Sequence, residues 1–173
     1  MWFEELIHQR MQNRDGTPLA SCGSCNRSLA SHDLFVVAKA FDKGRCVLET
    51  AQCHVCLHSL QSYLSDQSRE NLMLYRGKRF NAYMTDEAAR QSYYQQDPTC
   101  IITGELITSQ ETFELYAVHT GEFQSDENYF FVGSIAIEQM SELLSEETRN
   151  HWQRFLNQLD PTGPEVIVPS FFG

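Results

Sequence analysis

Two pairs of cysteines are the residues of this sequence whose spacing points most directly to chemistry. Cys22 and Cys25 form one Cys-x-x-Cys pair, and Cys53 and Cys56 form a second pair further along the chain. Each pair turns two sulfur atoms toward one side of a tight loop, so two pairs complete a tetrahedron of thiolates around a metal ion. The sequence therefore predicts one structural Zn²⁺ ion per chain, with these four cysteines as its ligands.

The segments between and after the cysteine pairs indicate the elements that must hold the sulfur atoms in place. Residues 34–41 are a β-prone run, residues 42–44 form a turn, and residues 45–51 return as a second strand. After the second pair, apolar residues recur at helical spacing: Leu57, Leu60 and Leu64. We therefore predict a knuckle, a β-hairpin and a helix whose first turn carries the second cysteine pair.

This order of elements around four cysteines resembles a treble-clef zinc finger over residues 20–64. Within that group it is similar to the N-terminal zinc domain of the bacterial ClpX unfoldase. Because that domain dimerises and docks adaptors, the resemblance implies structural zinc, protein–protein interaction and a homodimer as expectations. The hairpin here is longer, and no ATPase sequence follows it. Treble-clef fingers serve nucleic-acid, protein and structural roles alike, so the motif does not select among them.

Other ligands and a catalytic role for the metal are the alternatives to a closed four-cysteine site. His54 and His58 lie close to the second pair, and one of them could replace a cysteine, although exposed helix histidines are the ordinary interpretation. A catalytic zinc keeps one position open for water, whereas four cysteines close the shell. The sequence also lacks the phosphate-loop, nucleophile-elbow, metalloprotease and zinc-deaminase motifs. We therefore predict a non-catalytic protein and leave an enzyme of another kind open.

The second half of the sequence repeats the order of the first. Residues 100–106 look like a knuckle, residues 113–119 and 129–132 like two strands of a hairpin, and a helix follows from Ser134. Laid over the finger, this half puts Cys100 on Cys22, Thr103 on Cys25, Ile135 near Cys53 and Glu138 near Cys56. We therefore predict an α+β fold in which a metal-free second copy, with extra helices, follows the zinc finger. The alternative is that any hairpin followed by a helix superposes on any other.

A last helix is predicted from Ser145, with Glu146 and Glu147 in its first turn. Its apolar stripe has no counterpart in the first half and consists of Trp152, Phe155, Leu156 and Leu159. A finger that lacks metal must replace the lost binding free energy by burying apolar surface. We therefore expect this stripe to stabilise the metal-free copy.

The predicted units divide the chain into four parts. Residues 1–18 hold a short amphipathic helix, which either packs on the finger or mediates dimerisation. Residues 19–75 form the zinc finger domain and residues 76–99 a helical linker. Residues 100–173 form an acidic hairpin–helix domain, whose apolar tail, residues 165–173, is expected to pair as an edge strand or to fill a groove.

The net negative charge of the chain comes entirely from its second half. Residues 1–99 carry eleven basic and eleven acidic side chains, whereas residues 100–173 carry two basic and twelve acidic ones, which accounts for the net charge of −10. The only basic cluster is Arg76, Lys78 and Arg79, so we expect weak or absent nucleic-acid binding. A basic protein partner fits this charge better, with an acidic surface on the second hairpin formed by Glu105, Glu111, Glu114 and Glu122.

The expected compartment is the cytoplasm. The N-terminus does not resemble a secretory signal, and no apolar run approaches the roughly 20 residues of a membrane span. Six cysteines, four of them in metal spacing, favour a reducing environment over a disulfide framework. Three roles therefore stay open: a regulatory or adaptor protein that binds another protein, a nucleic-acid-binding finger, and a thiol–zinc redox sensor.

Overall fold

The computed structural model describes residues 5–7, 9–10, 12, 15–32, 34–120 and 129–159. They form a mixed α+β fold. Four strands and five longer α-helices are present within these ranges: β1 (Leu34–Asp42), β2 (Arg45–Cys53), α1 (His54–Gln61), α2 (Asp66–Thr85), α3 (Glu87–Tyr94), β3 (Thr112–Thr120), β4 (Tyr129–Gly133), α4 (Ser134–Glu142) and α5 (Glu146–Leu159). Two short 3-10 helices, Leu29–Ser31 and Ile107–Ser109, and a helical stretch at residues 5–7 are also described. Glu122 and the tail at residues 165–173, for which predictions were made above, lie outside the described residues.

One antiparallel sheet runs through both halves of the chain, in the order β2-β1-β3-β4. β1 and β2 are joined by the predicted turn, in which Lys43 and Gly44 have φ angles of 47° and 77°. Two consecutive positive φ angles match the twist of a tight hairpin. β1 and β3 pair along their whole length, with Ala38 opposite Tyr116. The two hairpins therefore lie side by side in one sheet.

The two hairpins are packed with side chains of different size. The second hairpin and its helix bury large groups, among them Phe113, Phe130 and Phe131. Around the first cysteine pair the buried residues are mostly small: Cys22, Leu29, Val37, Ala51, Cys53 and Ala117. Most of the apolar core of the described residues therefore lies under the half without the cysteine pairs.

Helix α2 begins at Asp66 and continues through the basic cluster of Arg76, Lys78 and Arg79. The hydroxyl oxygen of Ser65 accepts a hydrogen bond from the Ser68 amide and caps the helix. Gly77, at φ 66°, interrupts the helical conformation at one residue, and the helix resumes beyond it. The side chain of Asp86 caps α3 by accepting a hydrogen bond from the Ala88 amide.

Each half of the chain sends a helix onto the other half. Helix α2 packs on the second hairpin, where the ring centroids of Phe80 and Phe130 are 5.6 Å apart. Helix α5 packs on the first hairpin, where Leu156 contacts Ala40 and Leu48. The expectation that the α5 stripe stabilises the metal-free half is therefore wrong for Trp152, Phe155 and Leu156, which pack on the first hairpin. The physical reason is that α2 and the phenylalanines already fill the core under the second hairpin.

The starts of α2 and α5 meet at a cluster of hydroxyl groups. The Ser145 amide donates to the Ser68 hydroxyl at 2.8 Å, and the Ser65 amide donates to the Thr148 hydroxyl at 3.1 Å. The Ser68 and Thr148 hydroxyls are themselves 3.2 Å apart and buried. Each half thus supplies a hydrogen-bond acceptor to a backbone amide at the helix start of the other half, a group that would otherwise be unsatisfied.

The N-terminal segment is described only in part. Residues 5–7 are helical, and Leu6 and Ile7 contact the main core. The amine of Lys39 donates to the backbone oxygen of Gln9 at 3.0 Å and to that of Gln12, which ties the segment to β1. Within the described ranges, none of the helices has both the length and the apolar character that crossing a membrane requires.

Candidate metal centre

The sulfur atoms of Cys22, Cys25, Cys53 and Cys56 lie within 4.8 Å of one another. The Cys25 and Cys53 sulfurs are 3.9 Å apart. Four thiolates about 2.3 Å from a tetrahedral zinc ion would lie about 3.8 Å from each other. None of the six cysteines is in a disulfide. The four cysteines that the sequence pairs are therefore brought together in positions that can bind one metal ion.

Backbone hydrogen bonds shape the knuckle that presents the first pair. The Cys22 amide donates to the Arg27 carbonyl at 2.9 Å, and the Asn26 amide donates to the Cys22 carbonyl at 2.9 Å. Asn26 has a φ angle of 57°, which closes the loop in a conformation that asparagine tolerates. The Gly23 amide donates to the Ala51 carbonyl at 2.8 Å and fixes the knuckle against β2.

The second pair is presented by the junction of a strand and a helix. Cys53 is the last residue of β2 and the N-cap of α1, and Cys56 lies in the first turn of that helix. The Cys53 amide also donates to the Cys22 sulfur at 3.4 Å, so the two pairs contact each other directly. The partial positive charge at a helix start favours a thiolate at this place.

The thiols of Cys22, Cys53 and Cys56 differ in their tendency to ionise. Burial raises the pKa of Cys22, but backbone amides of Cys53, Cys25 and Ser24 outweigh it and lower that pKa to about 7. Burial is the largest cause that raises the pKa of Cys53 and of Cys56. The Cys22 sulfur adds to it for Cys53, and the sulfurs of Cys25, Cys53 and Cys22 add to it for Cys56, so a thiolate at Cys22 opposes the ionisation of both. A divalent cation removes this repulsion, so metal binding and loss of the remaining protons are coupled.

Gln52 is a supporting residue that sequence reasoning did not single out. Its side-chain oxygen accepts from the Ser24 hydroxyl at 2.7 Å, and its side-chain nitrogen donates to the Thr50 hydroxyl at 2.9 Å. The residue is buried. It therefore ties the first cysteine loop to β2. Its position next to Cys53 is the only signal in the sequence that could have suggested this role.

Neither histidine that was considered as an alternative ligand belongs to the cluster. Among the residues that the structure describes, the four cysteines are the one group of three or more metal-ligating side chains at such short distances. His54 and His58 are exposed, and the His54 ring lies 5.7 Å from the His32 ring, edge to face. Four sulfur atoms already complete a tetrahedral set.

A second knuckle has the same backbone hydrogen bonds. The Cys100 amide donates to the Glu105 carbonyl at 2.8 Å, and the Gly104 amide donates to the Cys100 carbonyl at 2.9 Å. The Ile101 amide donates to the Phe131 carbonyl at 2.8 Å, as that of Gly23 does to Ala51. The Thr103 amide donates to the Cys100 sulfur at 3.4 Å. This knuckle therefore keeps its shape with a single cysteine.

The helix after the second hairpin corrects the alignment made from sequence. The N-cap of α4 is Gly133, where α1 has Cys53. Counting from the caps, Gly133 and Ala136 correspond to Cys53 and Cys56, so the expected partners Ile135 and Glu138 are wrong by two residues. The error arises because the two hairpins differ in length, so the order of elements alone does not fix which residue begins the second helix.

A glutamine occupies the place beside Gly133. A β-carbon added to Gly133 would lie 2.2 Å from the side-chain oxygen of Gln110. That oxygen accepts from the Ser134 amide at 2.7 Å, while the side-chain nitrogen donates to the Leu106 carbonyl at 3.2 Å. In this half an amide group therefore holds the strand–helix junction, where the first half has a thiol.

Two charged residues that were expected at the surface are buried. Glu114, expected on an acidic surface, is only 2% exposed, and its carboxylate accepts from the Tyr116 hydroxyl at 2.6 Å. Arg76, expected in the basic cluster, is buried with its guanidinium over the Phe80 ring. Both belong to elements that are covered by the core, so neither is available at the surface.

Comparison with known proteins does not identify a family for this chain. The sequence matches no protein-family model, and searches of curated proteins and of solved structures gave no match either. The function is therefore inferred from the four-cysteine site.

Proposed function

We propose that this protein is a non-catalytic zinc-binding module whose metal holds a surface for another protein. The observation that carries the proposal is the set of four sulfur atoms within 4.8 Å of one another. Four thiolates are the typical shell of a structural zinc ion and leave no position open for water. Such a site needs reduced thiols, which fits a cytoplasmic location.

The fold around the metal is, in this proposal, a treble-clef finger followed by a metal-free copy. Three correspondences support the copy: the two knuckles share their hydrogen bonds, the two helix caps fall at equivalent places, and β1 and β3 pair with their central residues opposite. The last is what an internal two-fold axis requires, because such an axis places equivalent residues face to face.

The test of the metal is elemental analysis of protein purified from cells grown without added metal. We expect one zinc ion per chain, lost together with the structure of the first half on treatment with a strong chelator. Protein that contains iron, or that has no metal and an unchanged circular dichroism spectrum, would contradict the proposal.

The test of the interaction role is affinity capture from the native host, followed by mass spectrometry. The metal-bound protein should retain specific partners that Cys22→Ser protein does not. Nucleic acid is a poor candidate partner, because the net charge is −10 and Arg76, one of the three residues of the basic cluster, is buried. Fluorescence anisotropy with DNA and RNA at about 150 mM salt, near physiological screening, should show no tight binding.

Redox sensing is a second candidate, favoured by the exposure of one ligand. The Cys25 side chain is exposed, whereas those of Cys22 and Cys53 are fully buried. Oxidation of a thiolate at the surface would release the metal. Zinc release under mild peroxide, followed with a colorimetric chelator, separates the two roles. Slow release supports a structural site, and fast release with a change of oligomeric state supports the sensor.

A further inference from the structure

A shallow groove lies on the second half, between its knuckle and the start of α4. It encloses about 590 Å³. Its walls come from the knuckle, the start of β3 and the start of α4, and include Glu105, Leu106, Gln110, Glu111, Ser134 and Ile135. Leu106 and Ile135 are 46% and 43% exposed, which is high for large aliphatic side chains. The groove thus offers two apolar contacts beside two carboxylates.

The floor of the groove is held in place by hydrogen bonds of the Gln110 side chain. The Gln110 amide group accepts from the Ser134 amide and donates to the Leu106 carbonyl, so its orientation is fixed. Gly133 permits this arrangement because any β-carbon there would collide with that group. A rigid floor reduces the entropy that binding costs.

The charge of the groove selects the chemistry of what can bind. None of the residues that line it is basic, and Glu105 and Glu111 are exposed. Arg79 packs near Gly104, but its guanidinium donates to the Thr99 hydroxyl at 3.4 Å. At the equivalent place in the first knuckle, where a carbonyl accepts from the first cysteine's amide, Arg27 replaces Glu105. The two halves therefore present opposite charges at this position.

We propose that this groove binds a basic peptide segment of a partner protein, with one large apolar side chain seated between Leu106 and Ile135. The proposal rests on the proposed function as an interaction module and names its binding surface and partner class. The cationic side chains on either side of the apolar anchor pair with Glu105 and Glu111. Complementary charge then sets orientation and association rate, and the apolar contact supplies residence time.

The test uses a display library of random linear peptides, selected on the metal-bound full chain. We expect enriched peptides to carry Lys or Arg on both sides of a Leu, Ile or Phe. A labelled peptide of the enriched sequence should bind at least about tenfold more weakly to the E105K/E111K variant, because two attractions become repulsions. The E142K/E147K variant changes the same charge at exposed glutamates outside the groove and should bind nearly as the wild type does.

A second pair of variants tests the apolar contact without changing charge. Ile135→Ser should weaken peptide binding, whereas Val55→Ser, at the equivalent exposed position of the first half, should not. No enrichment, enriched peptides without basic residues, or equal weakening by the groove variants and their controls would overturn the proposal. If wild-type and E105K/E111K protein capture the same host partners, the groove assignment fails while the interaction role stands. If neither captures any, the proposed function fails.

Discussion

The two halves of this protein solve the same structural problem by different means. In the first half a knuckle and a strand–helix junction meet through four thiols. In the second half the same two elements meet through a buried cysteine, a glutamine amide and a core of large aromatic side chains. Both knuckles therefore take their shape from the same backbone hydrogen bonds. The contact between knuckle and helix is stabilised by metal ligands in the first half and by an apolar core in the second.

Removal of a metal ligand is the strongest way to break this comparison. Cys22→Ser should abolish metal binding and unfold the first half, since structural zinc contributes about 10 kcal/mol or more to finger folding. Cys100→Ser, at the matching place of the second knuckle, should keep the metal and cost only about 1–3 kcal/mol for a buried polar group. Metal-to-protein ratios and thermal unfolding of both variants check this. Loss of metal from the Cys100→Ser protein would contradict it.

Construction of a second metal site would sharpen the comparison. Thr103→Cys, Gly133→Cys and Ala136→Cys together with Cys100 supply four thiols, and Gln110→Ala removes the amide that a β-carbon at position 133 would strike. We expect this protein to bind two zinc ions per chain in a chelator competition.

The same three cysteines with Gln110 retained form the control, which should bind the second ion far more weakly. Equal binding by the two proteins would show that Gln110 does not occupy the site. No second ion in either would show that the halves are not equivalent there.

Truncation of the core should harm the second half by a different route. Phe113→Ala removes a fully buried ring, so we expect a loss of about 3–5 kcal/mol in the free energy of unfolding. The bound metal should be retained below the unfolding temperature. Leu29→Ala, next to the cysteines, should instead speed metal release to a chelator. Denaturant unfolding with a zinc-release assay on both variants distinguishes the two effects. Metal loss from folded Phe113→Ala protein would contradict the division.

The smallest expected effect concerns the hydroxyl cluster between the halves. Ser68→Ala and Thr148→Val should each cost about 1 kcal/mol or slightly more, because each leaves an amide of the other half without an acceptor. Since the two hydroxyls also bond each other, the double variant should differ from the sum of the single ones. Strict additivity in urea unfolding would show that the two helix starts are independent.

The residues that could be predicted from sequence are those governed by local rules. The four cysteines are predicted from their spacing, and the first hairpin from the turn at residues 42–44 between two β-prone runs. Glu114 was misplaced because strand alternation predicts that every second residue faces solvent. In β3, residues 113–117 are all buried, since other elements cover both faces of this central strand.

The surfaces on which α2 and α5 pack could not be predicted from the sequence either. An amphipathic pattern shows that a helix has an apolar face, but not which surface that face covers. The stripe with Trp152 and Leu156 is expected on its own half because a metal-free finger needs extra buried surface, but that need does not specify which surface the stripe covers. Its contacts with Ala40 and Leu48 depend on the pairing of β1 with β3, which no local signal specifies.

That central pairing also bears on how the chain reaches its fold. β1–β2 and β3–β4 join strands that are neighbours in sequence, whereas β1–β3 joins residues 34–42 to residues 112–120. Closing the longer loop costs more entropy, so the middle of the sheet should be the last part to form. Until then both central strands have an open edge, and β1 of one molecule can pair with β3 of another. Refolding at high protein concentration is therefore expected to yield dimers that have exchanged halves.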